Sequence, residues 1–388
     1  MIRNRLPLLL SPLAVTLASC AAASSGENAD SSDRSAVTTH APGDFTVTEI
    51  AGFDGPWAIA FLPDSPYALI TERKGTLKLW EAGGEVRDVK GVPAVVFAGQ
   101  GGLGDVVLAP DFATSGMVYL TWAEAGESGA RGAAMGRAKL VIDGSPRLEG
   151  LQVIWRQTPK VTGDGHYSHR IAFSPDGKHM FLASGERQKF TPAQDLSTNL
   201  GKVLRLLPDG SPAPGNPWAG KGSPTDQVWS YGHRNILGLK FDRQGRLWDL
   251  EHGPRGGDEL NIVKAGANYG WPVVSNGDHY DGKPIPRHST RPEFAAPAIS
   301  WNPVIAPGDF IFYTGDQFPE WKGQVLIAAM KPAALVRVAI DGARAREVAR
   351  YPMANRIRSI AQRPDGSIWL LEDGKDLARA RLLKLTSR

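Results

Sequence analysis

The chain has one cysteine, Cys20, in 388 residues, so no intramolecular disulfide can brace it. It has no Lys/Arg block either. The formal net charge is only +4, and the densest basic stretch, Arg344, Arg346, Arg350, Arg356, Arg358 and Arg363, alternates with apolar residues as strands do. That pattern argues against nucleic-acid binding. Helical runs of Ala, Glu and Leu are scarce, which argues against a bundle. No His/Cys cluster has zinc spacing; His233 and His252 read as structural on this ground. Beyond the N-terminus no segment reads as a transmembrane helix.

The first residues read as a processing signal. Arg3 and Arg5 precede a short apolar stretch, Leu6 to Leu17, interrupted by Pro7 and Pro12 and too short to span a bilayer. Leu17-Ala18-Ser19-Cys20 then looks like a bacterial lipoprotein box, with residues 1–20 removed and Cys20 lipidated. Ordinary secretion to the periplasm is the alternative. Ala21, rather than Asp, after the cysteine favours the outer membrane by analogy with Gram-negative lipoproteins. Residues 21–43, rich in Ala, Ser, Asp and Gly, bury too little apolar surface to offset ordering entropy and read as a tether.

What the rest has in abundance is glycine and proline, 44 and 29 residues, the composition of many short strands joined by turns. A unit recurs: an apolar residue, Pro-Asp or Asp-x-x-Gly, then an alternating apolar run. It appears at Phe61-Leu62-Pro63-Asp64, Leu108-Ala109-Pro110-Asp111, Phe173-Ser174-Pro175-Asp176-Gly177, Phe241-Asp242-Arg243-Gln244-Gly245 and Gln362-Arg363-Pro364-Asp365-Gly366. The turn residues predict hairpins, each feeding a strand inside a sheet. Roughly six four-stranded units fit the about 345 residues from 44 to 388, which predicts an all-β, six-bladed β-propeller. A single eight-stranded sandwich would leave about half of that length unused.

The segment Trp229–Trp271 carries the densest chemistry. It contains Gly232-His233-Arg234-Asn235, Glu251-His252-Gly253-Pro254-Arg255-Gly256-Gly257-Asp258-Glu259 and Asn268-Tyr269-Gly270-Trp271-Pro272. Gly-Pro-x-Gly-Gly cannot continue a helix or a central strand, so it leaves carbonyls unpaired beside carboxylates. Those are hard oxygen ligands suited to Ca²⁺. The loop by itself also fits a plain surface turn. Arg234 suits an anionic ligand.

These pieces, with Gly99-Gln100-Gly101-Gly102-Leu103-Gly104, His166-Tyr167-Ser168-His169-Arg170, Gly201-Lys202-Val203-Leu204-Arg205-Leu206, Lys331 and Asn355-Arg356-Ile357-Arg358, resemble the soluble aldose sugar (glucose/sorbosone) dehydrogenases that use pyrroloquinoline quinone, PQQ. The resemblance runs in the family's order from about residue 50 to the C-terminus. It implies a propeller oxidoreductase that oxidises the C1 hydroxyl of an aldose to a lactone. Hydride would pass to calcium-bound PQQ and electrons onward to an external acceptor. It implies His166 as proton acceptor, with Asp164 offered as the group that orients the imidazole although Gly165 intervenes. It assigns Gln100, Arg234, Asn235, Lys331, Arg356 and Arg358 to the cofactor, whose carboxylates need cations. Arg356 and Arg358, two apart, share one face of a strand and can converge on one anion. The cofactor's calcium falls to the Gly253 and Pro254 carbonyls; a structural calcium falls to the Glu259 carboxylate and the Tyr269 carbonyl. His169 replaces a usual glycine and is expected to shape the sugar pocket, and Ile236 stands where proline is common. Two other functions remain open on the residues: a propeller metal-dependent lactonase or hydrolase, and a non-catalytic binding lipoprotein.

Overall fold

In the computed structural model, residues 38–40, 45–375 and 379–388 are described. The proposed signal, Cys20 and most of the proposed tether lie outside them. Thr38–His40, within the stretch read as tether, pairs as a strand with Thr46–Thr48.

The strands form six antiparallel sheets, each taken up in chain order. Blade 1 runs Pro56–Phe61, Tyr67–Glu72, Thr76–Glu81, Val86–Val89; blade 2, Leu103–Leu108, Met117–Ala125, Arg131–Val141, Arg147–Arg156; blade 3, Ser168–Phe173, Met180–Ser184, Lys202–Leu206, Val228–Tyr231. Blade 4 runs Ile236–Phe241, Leu247–Glu251, Asp258–Ile262, Ile299–Trp301; blade 5, Pro307–Phe312, Val325–Met330, Ala333–Asp341, Arg344–Pro352. Blade 6 combines Ile357–Gln362, Ile368–Glu372 and Ala380–Ser387 with the N-terminal strand Phe45–Phe53. That last pairing, from Phe45↔Ser387 to Phe53↔Ala380, ties the two ends of the domain together. The first strand of every blade packs against the first strands of its two neighbours, so the ring is closed. This is the six-bladed β-propeller that the repeats predict.

The hairpins follow from the predicted turns. Asp242 Oδ1 accepts the Gln244 and Arg246 amide protons, both at 2.9 Å, and Asp365 Oδ1 accepts that of Ser367 at 2.9 Å. These side chains stand in for a backbone acceptor and fix the turn. All five predicted post-turn runs are second strands of blades. Blade 5 lacks the unit: a longer loop with a 3₁₀ turn, Pro319–Trp321, joins its first two strands, which is why the repeat is silent there.

Apolar side chains fill six layers between neighbouring blades. Trp57 and Leu69 meet Val106 and Leu120; Met135 and Trp155 meet Ile171 and Leu182; Phe181 and Val203 meet Ile236 and Leu247. Trp248 and Leu250 then meet Phe310 and Ile327, Leu326 and Tyr351 meet Ile360 and Leu383, and Trp369 and Leu371 meet Ile70 and Trp80. Strand alternation gives each middle strand two apolar faces, one per neighbouring blade.

Candidate functional site

Loops entering the innermost strands converge around the axis, and Arg170 ties them together. Its Nε donates to Leu237 O at 2.5 Å, Nη2 to Gly308 O at 2.7 Å and Nη1 to Asp105 at 3.2 Å, while the guanidinium lies 4.0 Å over the Trp57 ring. One buried cation thus links blades 1, 2, 4 and 5 to its own blade 3. Above it opens a cavity of about 290 Å³, near the lower end of small-molecule sites. Its lining includes Gln100, Asn235, Arg356 and Arg358 of the predicted set.

Gln100 is delivered by the glycine loop before blade 2. Gly102 has φ +110°, and a Cβ there would lie 2.0 Å from Arg73 O, so only glycine lets the loop close. Gln100 Oε1 then accepts the His166 backbone N–H at 2.8 Å. His166 itself is buried, with φ +50°. Its Nδ1 lies 2.5 Å from Glu186 Oε1, and the other Glu186 oxygen accepts the Phe190 N–H at 2.6 Å. Asp164 does not orient this ring. It pairs with Arg131 instead, and Glu186 takes the role. Sequence reading missed Glu186, which lies twenty residues on, beyond a strand.

Burial lowers the His166 pKa to about 4, against the raising effect of Glu186; Arg234 and His252 add to the lowering. The imidazole is therefore neutral near pH 7. With Nδ1–H given to the carboxylate, Nε2 keeps its lone pair, and among the described residues it has no hydrogen-bond partner.

Asn235 accepts the Ser168 N–H at 3.2 Å through Oδ1, and Ser168 Oγ accepts the Ile236 N–H at 2.9 Å, so isoleucine in place of proline supplies a donor here. His169 lines the cavity, stacked on Tyr167 at 5.4 Å and edge-on to Trp57 at 5.9 Å. The extra ring fits because residue 104 is glycine: a Cβ there would come within 2.6 Å of His169 Cγ. Burial, with Arg187 and Arg170 nearby, pushes the His169 pKa down to about 3, and neither ring nitrogen has a protein partner.

Arg356 and Arg358 do converge on one anion, but it is the protein's own. Asp373 accepts Arg356 Nε at 2.7 Å and Arg358 Nη2 at 2.9 Å. Two guanidiniums on one carboxylate leave a net positive wall, reinforced by Arg73 and Lys375 in the same lining. Sequence reading missed Asp373, Arg73 and Trp57. The acid directly after a blade's second strand was the available signal for the first. Lys331 is exposed and outside the lining, although Met330 beside it belongs to the lining. Arg234 is buried, its guanidinium 5.0 Å over Trp271 and its Nη1 on His252 O at 3.3 Å.

Arg234 also lines a smaller hollow with Gly253, Glu251, Glu259 and Tyr269, about 20 Å³ in volume, room for one ion or water. Among the described residues the carbonyl oxygens of Gly253, Pro254 and Tyr269 accept no hydrogen bond from the protein. Free carbonyls beside the buried Glu259 form an oxygen-rich donor set that fits a hard cation. Pro254 faces a separate shallow hollow with Phe190, Trp271 and Tyr280. The cavity and hollow share His252.

Residues 53–384 match the profile of the family described as Glucose / Sorbosone dehydrogenase. The chain is 39% identical over 344 residues to the aldose sugar dehydrogenase YliI of Escherichia coli, covering 86% of this chain and 91% of that one. Among solved structures, the apo-form of the soluble aldose sugar dehydrogenase from Escherichia coli superposes with a TM-score of 0.82 at 36% identity, covering 89% of this chain and 100% of that one. The PQQ-bound aldose sugar dehydrogenase from Streptomyces coelicolor does so with a TM-score of 0.73 at 28% identity, covering 90% and 100%.

Proposed function

The chain belongs to the glucose/sorbosone dehydrogenase family, and on that premise we propose that it is an oxidoreductase that oxidises the C1 hydroxyl of aldose sugars with PQQ as cofactor. The observation that carries this reading is His166: a neutral, carboxylate-oriented imidazole with an unpartnered Nε2, itself outside the lining of the cationic-walled cavity but held by Gln100 and followed by Tyr167 and Ser168, which line it.

Bound PQQ would supply the quinone carbonyl that accepts the C1 hydride. The chain supplies the rest. His166 Nε2 takes the hydroxyl proton, and the imidazolium so formed is stabilised by Glu186 2.5 Å away. Arg356, Arg358 and Asn235 would hold the cofactor's carboxylates and polar edge. Arg234 would do so from the hollow's side, and Lys331 from the rim. Gln100 holds the His166 backbone at 2.8 Å while its amide faces the cavity. Asp373 keeps both guanidiniums in place without neutralising them. Ca²⁺ would sit on the Gly253 and Pro254 carbonyls, with a second ion at Glu259 and the Tyr269 carbonyl; unsatisfied carbonyls support this assignment. Electrons then leave to an external acceptor.

A propeller hydrolase needs several carboxylates or amides around an axial metal. The cavity lining has one carboxylate, Asp373, and two arginines occupy it, so the residues favour the dehydrogenase. Purified apoprotein given PQQ and Ca²⁺ should reduce an artificial dye with an aldose panel; no reduction with any aldose would overturn the proposal. We further propose a lipid anchor at Cys20, holding the enzyme on the periplasmic side of the envelope. Cys20→Ser should move the protein out of the membrane fraction, and palmitate labelling that leaves the unsubstituted protein unmarked would remove the anchor.

A further inference from the structure

Between blades 3 and 4 the apolar layer is interrupted. Leu247, Asp249 and Glu251 share one face of their strand, and Asn261 and Glu259 lie directly across from Asp249 and Glu251. All four polar residues are buried, and Asp249 and Asn261 have no exposure at all. Among the described residues no lysine or arginine side chain pairs with these three carboxylates; their nearest partners are histidines, His233 for Asp249 and Glu251 and His288 for Glu259. Of these, Asp249 and Glu251 belong to no cation site described so far, and buried carboxylates without a cation beside them are costly.

His233 Nδ1 is hydrogen-bonded to Glu251 Oε1, which Asn261 Nδ2 also approaches at 3.4 Å, and the three donor atoms of His233, Asp249 and Glu251 lie close enough together to share a cation. His233 Nδ1 lies 3.1 Å from Glu251 Oε1 and 3.5 Å from Asp249 Oδ2. Donor atoms around a four-coordinate ion with bonds of about 2.0–2.1 Å lie about 3.3–3.4 Å apart, so both separations bracket that value. Outer contacts hold the three donors. His233 Nε2 is 2.8 Å from Ser230 Oγ, which fixes Nδ1 as the free nitrogen when Nε2 carries the proton. Tyr269 stacks on the ring at 4.5 Å. Asn261 Nδ2 donates to Asp249 Oδ1 at 3.1 Å, leaving Asp249 Oδ2 with no hydrogen bond although it is fully buried. The Asn261 amide oxygen, equally buried, also lacks a donor.

We propose that His233 Nδ1, Asp249 Oδ2 and Glu251 Oε1 bind a divalent transition-series cation of the zinc type. One nitrogen with two carboxylate oxygens at this spacing suits Zn²⁺ or Co²⁺, whereas Ca²⁺ takes six to eight oxygens. The site adjoins the hollow of Gly253, Glu259 and Tyr269, which Glu251 also lines, but it uses other donor atoms and does not rest on the PQQ reading. Its structural consequence is direct: Glu251 Oε2 also accepts the Arg234 backbone N–H at 2.7 Å, so the ion pins the Gly232–Asn235 loop from behind.

The test is Co²⁺ titration of the untagged full chain in excess Ca²⁺ at neutral pH, read by the visible absorption of four-coordinate Co²⁺ and by metal content after gel filtration. The expected result is one equivalent bound, with Asp249→Asn weakening binding by more than the 10–100-fold cost typical of a lost outer contact. No saturable uptake, or equal uptake by Asp249→Asn, overturns the site. Should that variant not fold, the unsubstituted Co²⁺ form decides alone. A hyperfine-shifted, exchangeable imidazole N–H from one histidine supports the site, and bound Co²⁺ without such a resonance overturns it.

Discussion

The strand Leu247–Glu251 faces two different interiors. Toward blade 5 it presents Trp248 and Leu250 to Phe310, Ile327 and Val336, an apolar layer that any propeller needs. Toward blade 3 it presents Asp249 and Glu251, which meet His233 and carry the Arg234 loop. One face buries apolar groups and serves stability; the other buries polar groups in their place and positions the Arg234 loop. Residues that do chemistry therefore lie where the apolar alternation breaks, and substitutions on the two sides should separate into effects on folding and effects on function.

The largest separation is expected at the axial end of the polar side. His166→Gln should lower kcat by about 10²–10⁴-fold, the range for a lost general base, while PQQ binding and thermal stability stay near those of the unsubstituted enzyme. Steady-state dye reduction alongside a PQQ titration checks both. A large loss of stability instead would place His166 with the scaffold.

On the apolar side, Leu250→Ala should destabilise by about 2–5 kcal/mol, because the packed layer cannot fully collapse around the lost atoms. Denaturant unfolding measures it, and kcat per folded molecule should be unchanged. A kcat loss as large as that of His166→Gln would erase the contrast.

Across the axis, Arg356→Ala should weaken PQQ binding by about 1.5–3 kcal/mol, the scale of a charge-assisted hydrogen bond, with little change in stability because Arg358 still holds Asp373. Equal PQQ affinity in both proteins would remove Arg356 from the site.

The smallest effect concerns pH. With His166 as the proposed neutral base, kcat/KM should rise with pH through about 4 and then level off. Glu186 raises that pKa, so Glu186→Gln should move the acid limb lower still, which a pH profile of both proteins reads directly. The same shift bears on stability. The folded pKa of about 4 lies below the unfolded value near 6.5, so the unfolded chain binds more protons between them. This contribution to stability is complete above about 6.5 and is lost as pH falls toward 4.

Much of this molecule was legible before folding. Pro-Asp and Asp-x-x-Gly turns determine their hairpins locally, with Asp176, Asp242 and Asp365 accepting an amide proton two residues on, so five of the six blades announced themselves. Gln100, Asn235, Arg356 and Arg358 were legible through family motifs, and the structure gathers them in one cavity. Lys331 was placed by the same motifs, yet its side chain stays outside the lining.

What only the tertiary structure decided are the partners that motif spacing cannot encode. Glu186 orients His166 in place of Asp164, Asp373 clamps two arginines, and Gly104 vacates the space that His169 fills. His233, set aside for want of a neighbouring histidine or cysteine, gains Asp249 and Glu251 from the next blade. The physical reason is common to all four. Turns are closed by neighbours in the chain, whereas a buried charge or ring is satisfied by whatever the closed ring of blades brings within about 3 Å, at any sequence separation.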